Sequence, residues 1–174
     1  NFLKIKEKKM HKYLGNYKFD FDLNLDELKY HSHKIGKHND TDSQTAKEAG
    51  YDNNTEIHKV WGEDYPTELL DYVNTFPIDW VNTNFQKQKP GFLIPPHRDS
   101  FDMIKKTYDK KPYRILVCMS DWVFGQVIMV DESILTNWKK GDAWIWDSEA
   151  IHMSANGSLE DKLTMIISGF YEDN

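Results

Sequence analysis

Two residues whose side chains bind metals, His97 and Asp99, stand two positions apart in the stretch GFLIPPHRDSFD, residues 91–102. On or just after a β-strand, side chains at i and i+2 point to the same side, so the imidazole and the carboxylate would face one point. An H-x-D pair is a weak signal by itself, because a chain with seven histidines and 28 acidic residues contains one nearly by chance. The stretch alone leaves two interpretations open, part of a metal site or a polar loop.

A third metal-binding side chain, His152, follows in WDSEAIHMSANGS, on a later predicted strand. Two histidines and one carboxylate hold a metal from one face and leave its other positions open, an arrangement typical of non-haem Fe(II). The fold must bring His152 beside His97 and Asp99 for such a site to exist. The sequence therefore predicts a metal site that depends on two distant strands lying side by side.

A cation and a hydroxyl come ten residues after His152, where Lys162 opens the stretch DKLTMIISGFY. Lys162 and Thr164 share one face of the predicted last strand, and together they suit the far carboxylate of a small dianion bound to the metal. Spacing alone favours an ordinary exposed lysine on an edge strand. The order H-x-D, then His, then Lys favours the carboxylate site instead.

Short strands separated by turn residues fill the chain after residue 78. Runs of apolar and β-branched residues alternate there with Gly, Pro, Asn and Asp, which interrupt strands. The predicted strands span residues 79–88, 92–98, 113–120, 125–131, 133–138, 142–147, 149–155 and 162–171. Eight short strands with few helices predict a mainly β protein, a sandwich or a double-stranded β-helix, the jelly roll that cupins share.

One face of the first predicted strand, residues 79–88, is unusually polar. Every second side chain falls on this face, which comprises Trp80, Asn82, Asn84, Gln86 and Gln88. A polar cavity wall and an exposed sheet face explain the pattern equally well.

The region before residue 78 is more polar. Residues 31–56, HSHKIGKHNDTDSQTAKEAGYDNNTE, contain almost no apolar side chains and predict a loop. His31, His33 and His38 lie there without cysteines or a second ligand pair, so we interpret them as solvated rather than as a zinc site.

Helices are predicted in this same region. Residues 65–76, YPTELLDYVNTF, place Pro66 at an early helical position and the apolar side chains on one face, and residues 23–31 are a weaker candidate. We expect one domain over residues 1–174, with an N-terminal polar and helical extension, 1–77, and a jelly-roll core, 78–174.

Length and charge narrow the class of protein. A chain of 174 residues fits one domain, and its net charge of −6 provides no field that would attract a nucleic acid. The single Cys118 rules out an internal disulfide, and no signal peptide or membrane-spanning run is visible. We expect a cytoplasmic protein without a membrane partner.

The site residues, in their order, resemble the motif of the 2-oxoglutarate- and Fe(II)-dependent oxygenases, which are built on a double-stranded β-helix. That motif is H-x-D, a distal His, and a basic residue ten positions later, as in His97, Asp99, His152 and Lys162. A lysine at the last position is similar to the prolyl 4-hydroxylase branch. PYRILVCMSDW and HMSAN are more like the aspartyl/asparaginyl hydroxylase-related branch, in which an arginine, here Arg114, also contacts co-substrate. The resemblance covers residues 78–171, and small oxygenases of this kind are common in tailed phages.

The resemblance implies roles for individual residues. The implied Fe(II) ligands, which are also the catalytic residues, are His97, Asp99 and His152. The residues implied to bind 2-oxoglutarate are Lys162, Thr164, Arg114 and Gln86. Lys162 and Arg114 compete for its far carboxylate. In this family O₂ is consumed, succinate and CO₂ are released, and ascorbate serves as reductant.

We therefore expect a hydroxylase of a peptidyl or free amino acid, with proline among the candidates, in the cytosol of a bacterium or a phage-infected host. Nucleobase repair is disfavoured by the acidic balance and by the lack of a basic, aromatic base-flipping surface. The alternatives are a cupin-type metal protein without oxygenase activity, either an isomerase or a small-molecule or sugar-binding module, and a non-enzymatic interaction protein. Asp99 argues against the cupin alternative, because such sites place more histidines on the metal.

Overall fold

Strands dominate the computed structural model, which describes residues 11–25, 27–34, 56–99 and 101–172. The helices within these ranges are α1 (Thr67–Val73) and α2 (Asp102–Thr107), besides a 3₁₀ turn at Gly62–Asp64. The strands are β1 (His11–Asn16), β2 (His31–Lys34), β3 (Glu56–Trp61), β4 (Asp79–Gln88), β5 (Leu93–His97), β6 (Tyr113–Cys118), β7 (Gln126–Val130), β8 (Ser133–Leu135), β9 (Asp142–Asp147), β10 (His152–Asn156) and β11 (Lys162–Phe170).

The strands form two antiparallel sheets. The large sheet has seven strands in the order β1-β9-β6-β11-β4-β3-β2, and the small sheet has four in the order β5-β10-β7-β8. The last strand, β11, therefore lies in the middle of the large sheet, between β6 and β4. Because directly paired residues point to the same side of a sheet, the register decides which side chains share a face.

The large sheet buries side chains on both faces. One face packs against α1 and the segment that follows β1, and Phe85, Ile115 and Ile167 lie at its centre. The other face turns toward the small sheet, where Leu116 and Ile166 of the large sheet meet Ile128 and Val130 of the small one. We call the space between the two sheets the inter-sheet core. A side chain that takes part in a site between the sheets must point into this inter-sheet core or lie at its edge.

Cys118 lies in the inter-sheet core, fully buried, directly opposite Thr164. Burial raises the pKa of its thiol. A buried thiol of raised pKa is a poor nucleophile, which agrees with the apolar sequence around it.

Helix α1 forms where the sequence predicts it. Pro66 precedes its first residue with φ −64°, and Leu69, Tyr72 and Val73 are buried against the large sheet. The apolar spacing therefore serves to cover the outer face of the sheet, away from the small sheet.

A β-bulge in β4 brings two backbones unusually close. Ser168 pairs with Asn82 but Gly169 pairs with Trp80, so one residue of β4, Val81, is left over. The bulge turns Trp80 to the outer face, where it packs beside α1 and donates from its indole to Asn74. The prediction that Trp80 shares a face with Asn82 is therefore wrong.

Gly169 is required by this close approach, so Gly169→Ala should destabilise the fold strongly. A Cβ there would lie 2.1 Å from the carbonyl oxygen of Asp79 and 2.6 Å from Cα of Trp80. We expect the free energy of unfolding in denaturant to fall by about 3 kcal/mol or more. Gly91→Ala is the control, because Gly91 has φ +82° but nothing within 4 Å, so only backbone strain of about 1 kcal/mol applies. Equal losses in the two variants would contradict the role of the clash.

The mainly β prediction is confirmed. Each strand predicted after residue 78 is present, with ends that differ by at most three residues. Within the described residues, no helix has the length and apolar character needed to cross a membrane.

Before residue 78 the prediction of a polar and helical extension needs correction. β1, β2 and β3 belong to the large sheet, so the described part of this region contributes strands to it. Residues 31–34 form β2 rather than a loop, and residues 23–25 and 27–30, in the weaker helix candidate, form no helix. The rest of the predicted loop up to residue 55, with His38, lies outside the described residues.

Candidate metal centre

His97, Asp99 and His152 meet at one end of the small sheet. β10 pairs with β5 so that His152 lies directly opposite His97. Asp99 follows β5 by two residues, which returns its side chain to the side of His97. One ligand atom from each residue lies within 4.8 Å of the other two. The three side chains that the sequence singles out are thus brought together by strand pairing.

Backbone carbonyls orient both imidazoles. His97 Nδ1 lies 2.8 Å from the carbonyl oxygen of Pro95, and His152 Nδ1 lies 3.2 Å from that of Ala150. A carbonyl only accepts, so each Nδ1 carries the proton and each Nε2 keeps its lone pair free. The two Nε2 atoms face Asp99, at 3.8 Å from Oδ1 for His97 and 3.4 Å from Oδ2 for His152. This arrangement of ring nitrogens is the one that metal-binding histidines adopt.

Charge at the centre suits a cation. Burial by itself would raise the pKa of Asp99, but the Arg114 guanidinium, the two histidines and Lys59 outweigh burial and lower it, so the carboxylate is ionised. Burial lowers the pKa of His152 to about 4, which keeps its ring neutral and able to donate a lone pair. Asp99 Oδ2 is buried and has no hydrogen-bond partner among the described residues. Two neutral imidazoles and a carboxylate with an unpaired oxygen therefore fit a divalent metal ion.

Arg114 contacts Asp99 from the large sheet. Its Nη1 donates to Asp99 Oδ1 at 2.6 Å, and its guanidinium carbon lies 5.2 Å from the centre of the Phe101 ring. Phe101 precedes α2 and packs with Ile104 and Phe170. Arg114 thus lies beside the carboxylate of the centre, and apolar side chains close the space around it.

Trp146 packs against His152 from the same face of the large sheet as Arg114. It is fully buried, its ring centroid lies 5.2 Å from that of His152, and it pairs with Arg114 across β9 and β6. An aromatic side chain in this position limits the access of water to the histidine ring.

Lys162 lies deeper in the inter-sheet core and is only 1% exposed. Its ammonium donates to the carbonyl oxygens of Val127 at 2.8 Å and Ala155 at 3.2 Å, and to the hydroxyl of Ser154. Burial lowers its pKa to about 7. The interpretation of Lys162 as an exposed edge-strand lysine is therefore wrong, because it belongs to a central strand and bridges the two sheets.

The polar face of β4 belongs to the inter-sheet side. Gln86 pairs with Thr164, which is buried, and Gln86 donates to Asn84 Oδ1 at 2.7 Å. Gln88 is buried as well and donates to the carbonyl oxygen of Ser154 at 3.1 Å. From Asn84 to Gln88 these side chains are buried or partly buried on the inter-sheet side, so the exposed-face interpretation is wrong for them.

Lys59 is a residue near the centre that the sequence analysis misses. It lies on β3 opposite Gln86, and its charge interacts with those of Arg114 and Asp99. The positions of Lys59 and Trp61, two residues apart in EIHKVW, are a signal of a β-strand with both side chains on one face. This strand begins at Glu56, inside the stretch interpreted as a loop, so the signal was missed.

Comparisons with known proteins find matches only among solved structures, since neither protein-family models nor curated proteins match. An oxidoreductase of the 2OG-Fe(II) oxygenase family from Burkholderia pseudomallei matches with a TM-score of 0.55 and 8% identity, over 83% of this chain and 74% of that one. The non-heme alpha ketoglutarate dependent epimerase SnoN from nogalamycin biosynthesis matches with a TM-score of 0.47 and 10% identity, over 64% and 60% of the two chains. A predicted oxalate decarboxylase from Thermotoga maritima matches with a TM-score of 0.45 and 14% identity, over 67% and 83%.

The match to the oxygenase from Burkholderia pseudomallei identifies the fold class. With 8% identity it shows a shared fold and does not assign an activity. The chain therefore shares its mainly β fold with that structure, and at one end of its small sheet it holds two histidines and an aspartate around one point.

Proposed function

We propose that the protein is a 2-oxoglutarate- and Fe(II)-dependent dioxygenase that hydroxylates a peptidyl or free amino acid. The supporting observation is the pair of Nε2 atoms that face the Asp99 carboxylate, each oriented by a carbonyl behind its ring. Two histidines and one carboxylate on one side leave room for a co-substrate and O₂ on the other. When bound, iron supplies the oxidative chemistry in which 2-oxoglutarate and O₂ yield succinate, CO₂ and a hydroxylated product.

The protein's own residues would bind the metal, orient its carboxylate ligand and shield the centre from water. His97 and His152 would supply nitrogens and Asp99 an oxygen, while Arg114 holds the carboxylate in place through its 2.6 Å hydrogen bond. Trp146 and the apolar group around Phe101 would limit the access of water to the centre, which would strengthen the electrostatic interactions inside it.

Lys162 is the better of the two candidates for the far carboxylate of 2-oxoglutarate. It contacts Ser154, two residues along β10 from His152, and two residues of a strand span about 7 Å. That separation suits the length of a five-carbon diacid whose other end is at the metal. Arg114 instead contacts the metal-binding carboxylate itself. Thr164 and Gln86, paired on neighbouring strands, complete this part of the proposed co-substrate site.

Finer assignments belong to the same proposal. The two sheets would be the halves of a double-stranded β-helix, which places the centre near one end of the inter-sheet core. A buried lysine as carboxylate ligand is similar to the prolyl 4-hydroxylase branch, whereas Arg114 beside the centre is similar to the aspartyl/asparaginyl hydroxylase-related branch. Ascorbate would keep the iron reduced, and the cytosol of a bacterium or of a phage-infected host would be its location.

One observation favours the cupin-type alternative, a metal-binding isomerase or sugar-binding module. All three donors of the Lys162 ammonium are already engaged by Val127, Ala155 and Ser154. A carboxylate can bind there only by replacing one of these acceptors. If this exchange does not occur, Lys162 is a structural bridge and the centre holds a metal without 2-oxoglutarate.

Turnover separates the two functions. Incubated with Fe(II), ascorbate, O₂ and 2-oxoglutarate, the protein should form succinate slowly even without a prime substrate. Free amino acids and peptides are then screened by mass spectrometry for the gain of one oxygen atom. Absence of both 2-oxoglutarate binding and succinate formation would exclude the oxygenase and leave the cupin-type protein.

A further inference from the structure

A second cationic position, distinct from Lys162, faces the inter-sheet side of the large sheet at Lys59. Lys59 pairs with Gln86, which pairs with Thr164, so all three side chains point to the inter-sheet side. Its backbone is two strands away from β11, about 10 Å at the usual strand spacing. The Lys59 ammonium lies 5.4 Å from the centre of the Trp61 ring, two residues further along β3.

The described part of the chain provides no counterion for the charge of Lys59. Among the described residues, no carboxylate lies within ion-pair distance of its ammonium. Arg114 faces the same inter-sheet side, because it pairs with Ser168, four residues from Thr164 on β11. Burial first, and then the Arg114 charge, lower the pKa of Lys59 to about 8. Placing a cation beside another cation in a partly buried space is unfavourable unless an anion joins them.

Arg114 is itself a cation, so it cannot supply the missing anion. It also has a hydrogen-bond donor that the described residues leave unused. One of its nitrogens binds Asp99, but its buried Nε has no hydrogen-bond partner among the described residues. Of the carboxylates that the structure describes, Asp99 is the one in ion-pair contact with Arg114, and as a metal ligand it would share its charge with the ion. Beside the centre, the described residues therefore leave the Lys59 charge unpaired and one nitrogen of Arg114, Nε, without a hydrogen-bond partner.

We propose that Lys59, together with Arg114, binds an anionic oxygen group of the prime substrate, a carboxylate or a phosphate. This inference rests on the proposed oxygenase function and narrows its substrate class. A free amino acid held by its carboxylate, or a residue with an acidic or phosphorylated side chain, satisfies both cations. A neutral internal residue of a peptide, such as proline, does not. Trp61 forms the apolar side of this substrate position.

The test is an NMR titration of the zinc-substituted protein with 2-oxoglutarate bound and without O₂. The probe is N-acetylglycine, its neutral control is N-acetylglycinamide, and inorganic phosphate is the second anion. The reporter is the Trp61 indole N–H signal, identified by its loss in Trp61→Phe. We expect a saturable shift with N-acetylglycine and none with the amide. If N-acetylglycine binds more tightly than phosphate, the recognised group of the substrate is a carboxylate. If phosphate binds more tightly, that group is a phosphate.

Lys59→Met should weaken the anion response at least tenfold and leave 2-oxoglutarate affinity unchanged. Lys87→Met is the matched control, since Lys87 lies on neighbouring β4 but its ammonium contacts the Tyr30 ring at 4.0 Å on the outer face. An equal response to the amide, no saturable response, an unchanged response in Lys59→Met, or a loss of 2-oxoglutarate affinity in that variant would each overturn the inference. Failure of the wild-type protein to bind 2-oxoglutarate would instead overturn the proposed function, so the two failures are distinguishable.

Discussion

His152→Ala should abolish stoichiometric binding of a divalent metal. His152 would supply one of three ligand atoms at the candidate centre, and the other two cannot by themselves hold an ion against water. Loss of an outer hydrogen-bond partner of a metal ligand typically weakens binding 10–100-fold, so loss of the ligand itself should exceed about 100-fold. Calorimetric titration with Mn(II) or Zn(II), together with elemental analysis of the purified protein, measures this change.

His58→Ala is the control for this experiment. His58 contacts Glu56 at 3.1 Å on β3 and takes no part in the candidate centre, so its removal should leave one metal ion per chain. Thermal unfolding of both variants checks that the fold is intact. Full metal occupancy in folded His152→Ala would show that His97, Asp99 and His152 are not the ligand set.

Lys162→Met should reduce the affinity for 2-oxoglutarate by a factor of tens to several hundred. Methionine fills a similar volume but removes the charge, so a carboxylate in the inter-sheet core loses its cation, at a cost on the order of 2–4 kcal/mol. The Mn-substituted protein without O₂ gives the affinity free of turnover. Because burial lowers the pKa of Lys162 to about 7, wild-type affinity should also decline as the pH rises above 7. The methionine variant should lack this decline.

Arg114→Ala provides the comparison that separates the two candidate carboxylate ligands. Removal of Arg114 leaves Asp99 without its 2.6 Å partner, so metal affinity should fall while 2-oxoglutarate affinity in the metal-loaded protein changes little. Lys162→Arg should not restore wild-type affinity, because a guanidinium is longer and planar where an ammonium fits. If Arg114→Ala loses more co-substrate affinity than Lys162→Met, the assignments must be exchanged. Wild-type affinity in both variants would mean that neither binds the co-substrate.

Much of the β core could be predicted from the sequence because turn-forming residues precede and follow its strands. In the region after residue 78, turn residues separate apolar runs, and β4 and β9 begin and end at the predicted residues. The order of His97, Asp99 and His152 also predicted the grouping that strand pairing produces, since β5 and β10 are neighbours.

The environments of the charged residues could not be predicted in the same way. Lysines are exposed in most proteins, so nothing local indicates that Lys162 would be buried between two sheets. The contact of Arg114 with Asp99 joins residues 15 positions apart on separate elements, and only the assembled fold reveals it. β2, HSHK, has no apolar residue and lies at the edge of the large sheet, which is why composition suggested a loop.

The burial of Cys118 gives the protein a chemical reporter of its own internal motions. It is the single cysteine of the chain, and it lies fully buried on β6, one strand from the middle strand of the large sheet. A thiol reagent can reach it only when β6 separates from its neighbours or when the two sheets part. The rate of labelling therefore measures how often the centre of the molecule opens, without any engineered probe. Ligands that bridge the two sheets should slow that rate, and ligands that bind elsewhere should not.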